Sequence, residues 1–332
     1  MTPLMNPQIS ILVPIYNVSS FIERCAHALF CQTFPDIEYV FVDDGTPDDS
    51  IIKLAKVIEQ YPQRKEQVKI VIHPVNRGLA AARNTAIDNS SGTYLLQVDS
   101  DDWIEPDMVE LLYHKAIETR ADVVVCDYFT EGNGTARVTK DAVFNDMNKN
   151  RNAIIISSHS KASIWNKMIK REIYNRCHRL PQGLNYNEDR YIVVQLYFLT
   201  DKIAKVDKPL YHYVTNNATS ITAQNRSRKH FENTFTCWDL LSDFLWEHGA
   251  SEEQKNLLDV EKIKRKASLM IATNSYSLRK EYAQKWHQEE ARFLSKLTRG
   301  KWVITCLIRH RLFLLAHLYH CGVKLLQLLR RL

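Results

Sequence analysis

Five short apolar runs constrain this chain more than any other feature, because each ends in polar residues and four lead into helical periodicity. The runs cover 9–14, 38–42, 68–72, 94–97 and 122–126, and the helical stretches cover 20–32, from about 49, 79–89 and 106–119. Alternation at so short a period predicts right-handed crossovers and a mostly parallel sheet. The C-terminal ends of such strands share one edge, where open α/β sheets bind ligands. That edge would carry Asn17, then Asp43 and Asp44, then Asn76 and Arg77, then Asp99, Asp101 and Asp102. Neither Gly-x-Gly-x-x-Gly nor Gly-x-x-x-x-Gly-Lys-Ser/Thr occurs, so neither a dinucleotide fold nor a P-loop is supported.

The run Val98-Asp99-Ser100-Asp101-Asp102 follows a strand that reads as buried. Asp99 and Asp101 are two apart, so they share a face on a continuing strand and can converge on one ion in a turn. Carboxylate oxygens suit hard cations such as Mg2+ and Mn2+, which keep open positions for phosphate oxygens. The same run also suits an acidic loop capping the helix near Pro106. Glu188 and Asp189 precede an apolar helix, where the macrodipole alone favours acids. The twelve histidines show no metal-ligand clustering.

Charge becomes informative once it is located. Residues 301–332 contain six basic residues and no acid, which accounts for the whole formal charge of +6. A neutral body of this kind argues against nucleic acid as a partner. Seven scattered cysteines without a Cys-x-x-Cys pair read as reduced thiols in a cytosolic protein, and the N-terminus lacks the regions of a signal peptide.

Residues 228–298 read as three helices, including 231–248 and 252–274. Residues 301–331 form one amphipathic pattern with a basic stripe, Arg309, Lys324 and Arg331 among it. No uncharged run approaches the ~18 residues that span a bilayer. Such a helix either lies in an anionic membrane surface or docks on its own domain or a partner subunit.

Five segments, 9–17 (ISILVPIYN), 42–50 (VDDGTPDDS), 76–84 (NRGLAAARN), 96–102 (LQVDSDD) and 187–192 (NEDRYI), stand in an order that resembles family 2 glycosyltransferases with the GT-A fold. The likeness covers roughly 8–220 and is closest to bacterial, non-processive members that build cell-surface polysaccharide. The Gln-x-x-Arg-Trp signature and long membrane runs of processive members are missing.

The resemblance implies site roles, residue by residue. Pro14, Ile15 and Tyr16 would pack on the nucleotide base, and Asp44, with Asp43 beside it, would accept a hydrogen bond from uracil. Capping the next helix is the alternative for those two acids, but a cap needs only one Asp. Arg83 would contact the nucleotide, where by itself it reads as a solvated charge. Asp99 would bind ribose or bridge to Mn2+ or Mg2+, Asp101 would ligate the cation, and Ser100 and Asp102 would contact the donor or orient the loop. Asp189 would be the general base, with Glu188 shaping the acceptor pocket. Trp165 would stack on a sugar or anchor the core. Residues 211–220 would form a loop over the diphosphate, with His212 a packed strand residue.

The expectation is therefore an α/β, Rossmann-like GT-A domain over 1–225, with a nucleotide half at 8–127 and an acceptor half at 128–225. A helical subdomain at 226–299 and the basic helix at 300–332 follow. The implied activity is inverting, metal-assisted transfer from a UDP-sugar to a lipid-linked or growing glycan, on the cytoplasmic face of the membrane. A catalytically silent, nucleotide-sugar-binding subunit of a glycan assembly complex is the alternative.

Overall fold

A computed structural model describes residues 7–132, 134–157, 160–217, 227–273 and 275–319. The chain divides into two compact units, Met1–Ala223 and Gln224–Leu332.

The first unit is built on one sheet with strand order β3-β2-β1-β4-β8-β6-β9-β5, and β7 pairs β6 at the side. The strands β1 (Ile9–Ile15), β2 (Ile37–Asp43), β3 (Val68–Ile72) and β4 (Tyr94–Gln97) are parallel. All seven residues of β1 are buried, as expected of a continuous apolar run covered on both faces. Between these strands run α1 (Ile22–Phe30), α2 (Ser50–Ile58) and α3 (Leu79–Asp88). The four predicted strands and three helices agree with these bounds to within about two residues.

Beyond β4 the sheet becomes mixed. The strand β8 (Lys167–Lys170) lies antiparallel between β4 and β6 (Val123–Gly132), and β9 (Ile203–Val214) runs parallel to β6. The short β5 (Trp103–Ile104) pairs with β9, so the chain leaving the acidic run is pinned to residues 211–212. Those residues are strand, not loop, and His212 is packed as expected. The remaining elements are α4 (Met108–Thr119), β7 (Thr135–Thr139), α5 (Met147–Ile156), α6 (Arg171–Tyr174) and α7 (Glu188–Leu199).

The second unit is helical, with α8 (Arg228–Glu247), α9 (Glu252–Ala272), α10 (Tyr276–Glu281), α11 (His287–Phe293) and α12 (Arg299–Arg309). Among the described residues, four α-helices, not three, fill the stretch before 299. Ser251 and Gln254 form a reciprocal capping box at the start of α9.

The expected single helix over 301–331 is interrupted. Arg311 adopts a left-handed φ of 60°. Its N–H donates to the Ile308 carbonyl at 2.9 Å, and the Leu312 N–H donates to the Leu307 carbonyl at 2.8 Å. This is a Schellman stop with arginine where glycine is usual, and periodicity alone does not reveal it. Helix resumes at 313–319, and residues 320–332 lie outside the described residues. The α12 segment docks its apolar side inward, burying Ile304, Thr305 and Ile308.

Candidate functional site

The polar edge forms where β1, β2 and β4 end. After β1, Tyr16 stands 46% exposed at the rim while Pro14 and Ile15 are buried. The Asn17 N–H donates to Thr46 Oγ1 at 2.8 Å, which ties this loop to the one after β2.

Asp43 and Asp44 both hold backbone. Asp43 Oδ1 accepts the Thr46 N–H at 2.8 Å. Asp44 is 3% exposed. Its carboxylate accepts the Arg77 and Gly78 N–H groups at 2.9 and 2.8 Å and lies 2.7 Å from His73 Nδ1. Gly78 has φ +90°, and a Cβ there would stand 2.3 Å from the Asn185 side chain. Asn185 Oδ1 in turn accepts the Ala80 N–H at 3.1 Å. Asp44 therefore fixes the loop entering α3, and its oxygens face the chain's own donors.

The acidic run divides by orientation. Asp102 is 1% exposed and turns inward, accepting the Tyr211 hydroxyl and the Val214 N–H, each at 2.7 Å. Of the two roles expected for it, orienting the loop is the one this geometry matches. Ser100 is also buried. Asp99 keeps part of its side chain in solvent, and Asp101 Oδ2 accepts the Asn217 amide at 2.8 Å. Burial and then the neighbouring Asp99 raise the Asp101 pKa, and burial with Asp101 and Asp99 raises that of Asp102 well above its ordinary value.

Glu188 and Asp189 are the first two residues of α7, inside the helix and not ahead of it. Asp189 Oδ2 accepts the Ile164 N–H at 3.3 Å. Its Oδ1 is buried and has no hydrogen bond among the described residues, although Arg83 Nη2 is 3.3 Å away. Burial pushes Glu188 up to about 8, with Asp189 adding to the shift and Arg83 opposing it. Asp189 also moves upward through burial, against the pull of Arg83.

Arg83 joins the two acidic clusters. It is 2% exposed, which excludes the solvated-charge reading. Its Nη1 donates to Gln97 Oε1 at 2.6 Å and its Nη2 to Asp99 Oδ1 at 2.9 Å, with Glu188 Oε1 3.5 Å from Nη2. Burial alone would lower its pKa, but Asp99, Asp189 and Glu188 more than offset that. Gln97 escaped the sequence reading, although an amide within a buried apolar strand was a usable signal.

Trp165 belongs to the core. It is 3% exposed, stacked on Tyr211 at 4.3 Å between ring centroids and edge-on to Tyr128 at 4.8 Å. Ser220, expected in a loop over the diphosphate, lies outside the described residues.

Three carboxylates, Asp99, Glu188 and Asp189, thus crowd around one buried guanidinium, with Asp101 and Asp102 following Asp99 in the chain. Among the described residues, no three His, Cys, Asp or Glu side chains converge as a ready-made cation cage. Asp99 and Asp101 would supply two ligands at most. That arrangement fits Mg2+ or Mn2+, which commonly take one or two carboxylates plus phosphate oxygens and water. Two neighbouring carboxylates, with Asp99 only partly buried, supply the hard oxygen donors that such an ion takes.

A mixed sheet with a carboxylate pair at the end of its fourth strand, and an acidic helix start near it, is the arrangement of a GT-A fold. The family model for glycosyl transferase family 2 matches residues 10–177, and the chain belongs to that family. It is therefore a glycosyltransferase. Bacillus subtilis EpsH, named as a glycosyltransferase, is 31% identical over 261 residues, which is 76% of this chain and 73% of EpsH. The glycosyltransferase GlyA of Streptococcus pneumoniae is 32% identical over 63% of this chain, but the match spans only 31% of GlyA. Among solved structures, residues 1–349 of S. aureus TarS in complex with UDP superpose with a TM-score of 0.70 at 18% identity, covering 96% of this chain and 91% of that one. The same TarS segment is also known with UDP-GlcNAc.

Proposed function

We propose that the enzyme transfers a sugar from a UDP-sugar to a hydroxyl of a lipid-linked or growing glycan, with inversion at the anomeric carbon. The observation that carries this reading is Asp189. It lies across from Asp99, linked through Arg83, with one oxygen accepting the Ile164 N–H and the other without a hydrogen bond among the described residues. An acceptor hydroxyl has a pKa far above neutrality, so its attack needs a positioned base. Asp189 Oδ1 takes that proton as the acceptor oxygen bonds to the anomeric carbon. The bond from that carbon to the diphosphate breaks, and its electron pair leaves with UDP. Attack opposite the leaving group inverts the centre.

Asp101 and Asp99 would hold Mn2+ or Mg2+, which supplies charge neutralisation for the departing diphosphate. Tyr16 offers an exposed ring for the base, and Asp44 and Asp43 shape the loops around it. We further propose that the basic end of the chain rests on an anionic membrane, consistent with a lipid-linked acceptor. Among the described residues, no helix is long and apolar enough to cross one.

Calorimetric titration with UDP tests the donor assignment. Binding should require Mn2+ or Mg2+ and weaken at least ~100-fold in Asp101→Ala, the scale of losing one charged ligand. Absence of UDP binding with every metal would overturn the UDP reading and favour another nucleotide or a silent site.

A further inference from the structure

We propose that Arg83 is a positioning residue that fixes the Asp189 base relative to Asp99, and that it does not contact the donor. The inference rests on the reading of Asp189 as base. Arg83 projects from α3 into the gap between the end of β4 and the start of α7. Its Nη1 is committed to Gln97 at 2.6 Å, and Gln97 is itself 1% exposed on β4. Its Nη2 meets Asp99 at 2.9 Å, Asp189 at 3.3 Å and Glu188 at 3.5 Å. At 2% exposure the guanidinium is closed off from solvent, with both terminal nitrogens turned to the chain's own acceptors and Nε buried without a hydrogen bond among the described residues.

One nitrogen with two hydrogens serves three carboxylates, so their claims compete. A ligand that draws Asp99 toward the donor end releases Nη2 toward α7. Arg83 then bears on the two acids there, and Asp189 is held in place opposite the donor. A guanidinium suits this task because its planar fork sets two separate nitrogens toward Gln97 and toward the acids, whereas the donors of an ammonium all radiate from one atom. Misplacing a reacting group by about 1 Å costs roughly 100-fold in rate, with little effect on substrate affinity.

The test separates UDP affinity from turnover in Arg83→Lys, Arg83→Ala and Asp189→Asn. Turnover is read as UDP release from whichever member of a UDP-sugar panel the wild type turns over fastest. Arg83→Lys should bind UDP with metal within about threefold of wild type, while kcat falls about 100-fold at nearly unchanged KM. Arg83→Ala should regain turnover when millimolar guanidinium is added, but not with ammonium; a purely structural role would give no such rescue. Arg83→Lys turning over at the wild-type rate, UDP affinity falling in step with kcat, or absence of guanidinium rescue would each overturn the proposal. Failure of the base assignment shows separately, as wild-type turnover in Asp189→Asn.

Discussion

Glu188 carries a consequence for stability that can be measured without substrate. Burial and the adjacent Asp189 raise it to about 8 from an ordinary 4.5. The folded chain therefore keeps a proton that the unfolded chain releases as pH climbs past about 4.5. Stability tied to that proton is fully present below the unfolded pKa and is lost as pH rises to about 8. Asp189 shifts in the same direction. Wild type should lose up to a few kcal/mol across that window, at about 1.4 kcal/mol per pKa unit. Glu188→Gln, which cannot ionise, should show a flatter thermal midpoint between pH 5 and 8.5 and melt higher than wild type at pH 8.5. Equal slopes for the two proteins would mean that Glu188 is ionised in the fold. The role of the pair as acids at a helix start was visible in the sequence, but the shift was not, since it depends on what the fold stacks over them.

At the level of elements, the parallel half was legible because each strand is a short run rich in apolar residues that ends in a polar loop, largely buried in β1, β2 and β4 and partly exposed in the edge strand β3. The antiparallel insertion of β8 was not, because a four-residue strand leaves no periodic trace and its pairing with β4 and β6 is non-local. Asp44 shows the same limit. Its position at the end of β2 could be read, but its commitment to the Arg77 and Gly78 amides could not. The turn it fixes depends on Gly78, where φ is +90° and a Cβ would strike the Asn185 side chain. Gly78→Ala should cost about 1–3 kcal/mol in urea unfolding, from left-handed strain and displacement of Asn185. Adding Asn185→Ala should recover only part of that loss, because the steric conflict is relieved while the φ strain stays. Full recovery would assign the whole cost to the contact, and no loss in the single variant would show that the loop yields freely.

For the whole molecule, the amphipathic end was readable as a pattern and misread as one rod. The left-handed stop at Arg311 divides it, so the two parts use their apolar sides differently. The α12 segment spends its own on the helical unit, with Ile304 and Ile308 buried. In and just before 313–319, Leu312, Leu314, Leu315 and Leu318 are 46, 65, 50 and 57% exposed, with Arg311 beside them. That leucine face, in a stretch whose sequence from 301 onward holds six basic residues and no acid, supports the proposed contact with an anionic bilayer. Each cation near such a surface adds about 1 kcal/mol, and each buried methylene about 0.8 kcal/mol. Replacing Leu314, Leu315 and Leu318 together by Ser should therefore lower co-sedimentation with phosphatidylglycerol-containing vesicles at least tenfold. UDP binding should be untouched, because the nucleotide site belongs to the first unit. High salt should weaken wild-type binding, and neutral phosphatidylcholine vesicles should bind poorly. If the Ser variant sediments as the wild type does, the leucine face is not the membrane contact. If instead it changes the oligomeric state in solution, that face belongs to an interface between copies of the chain.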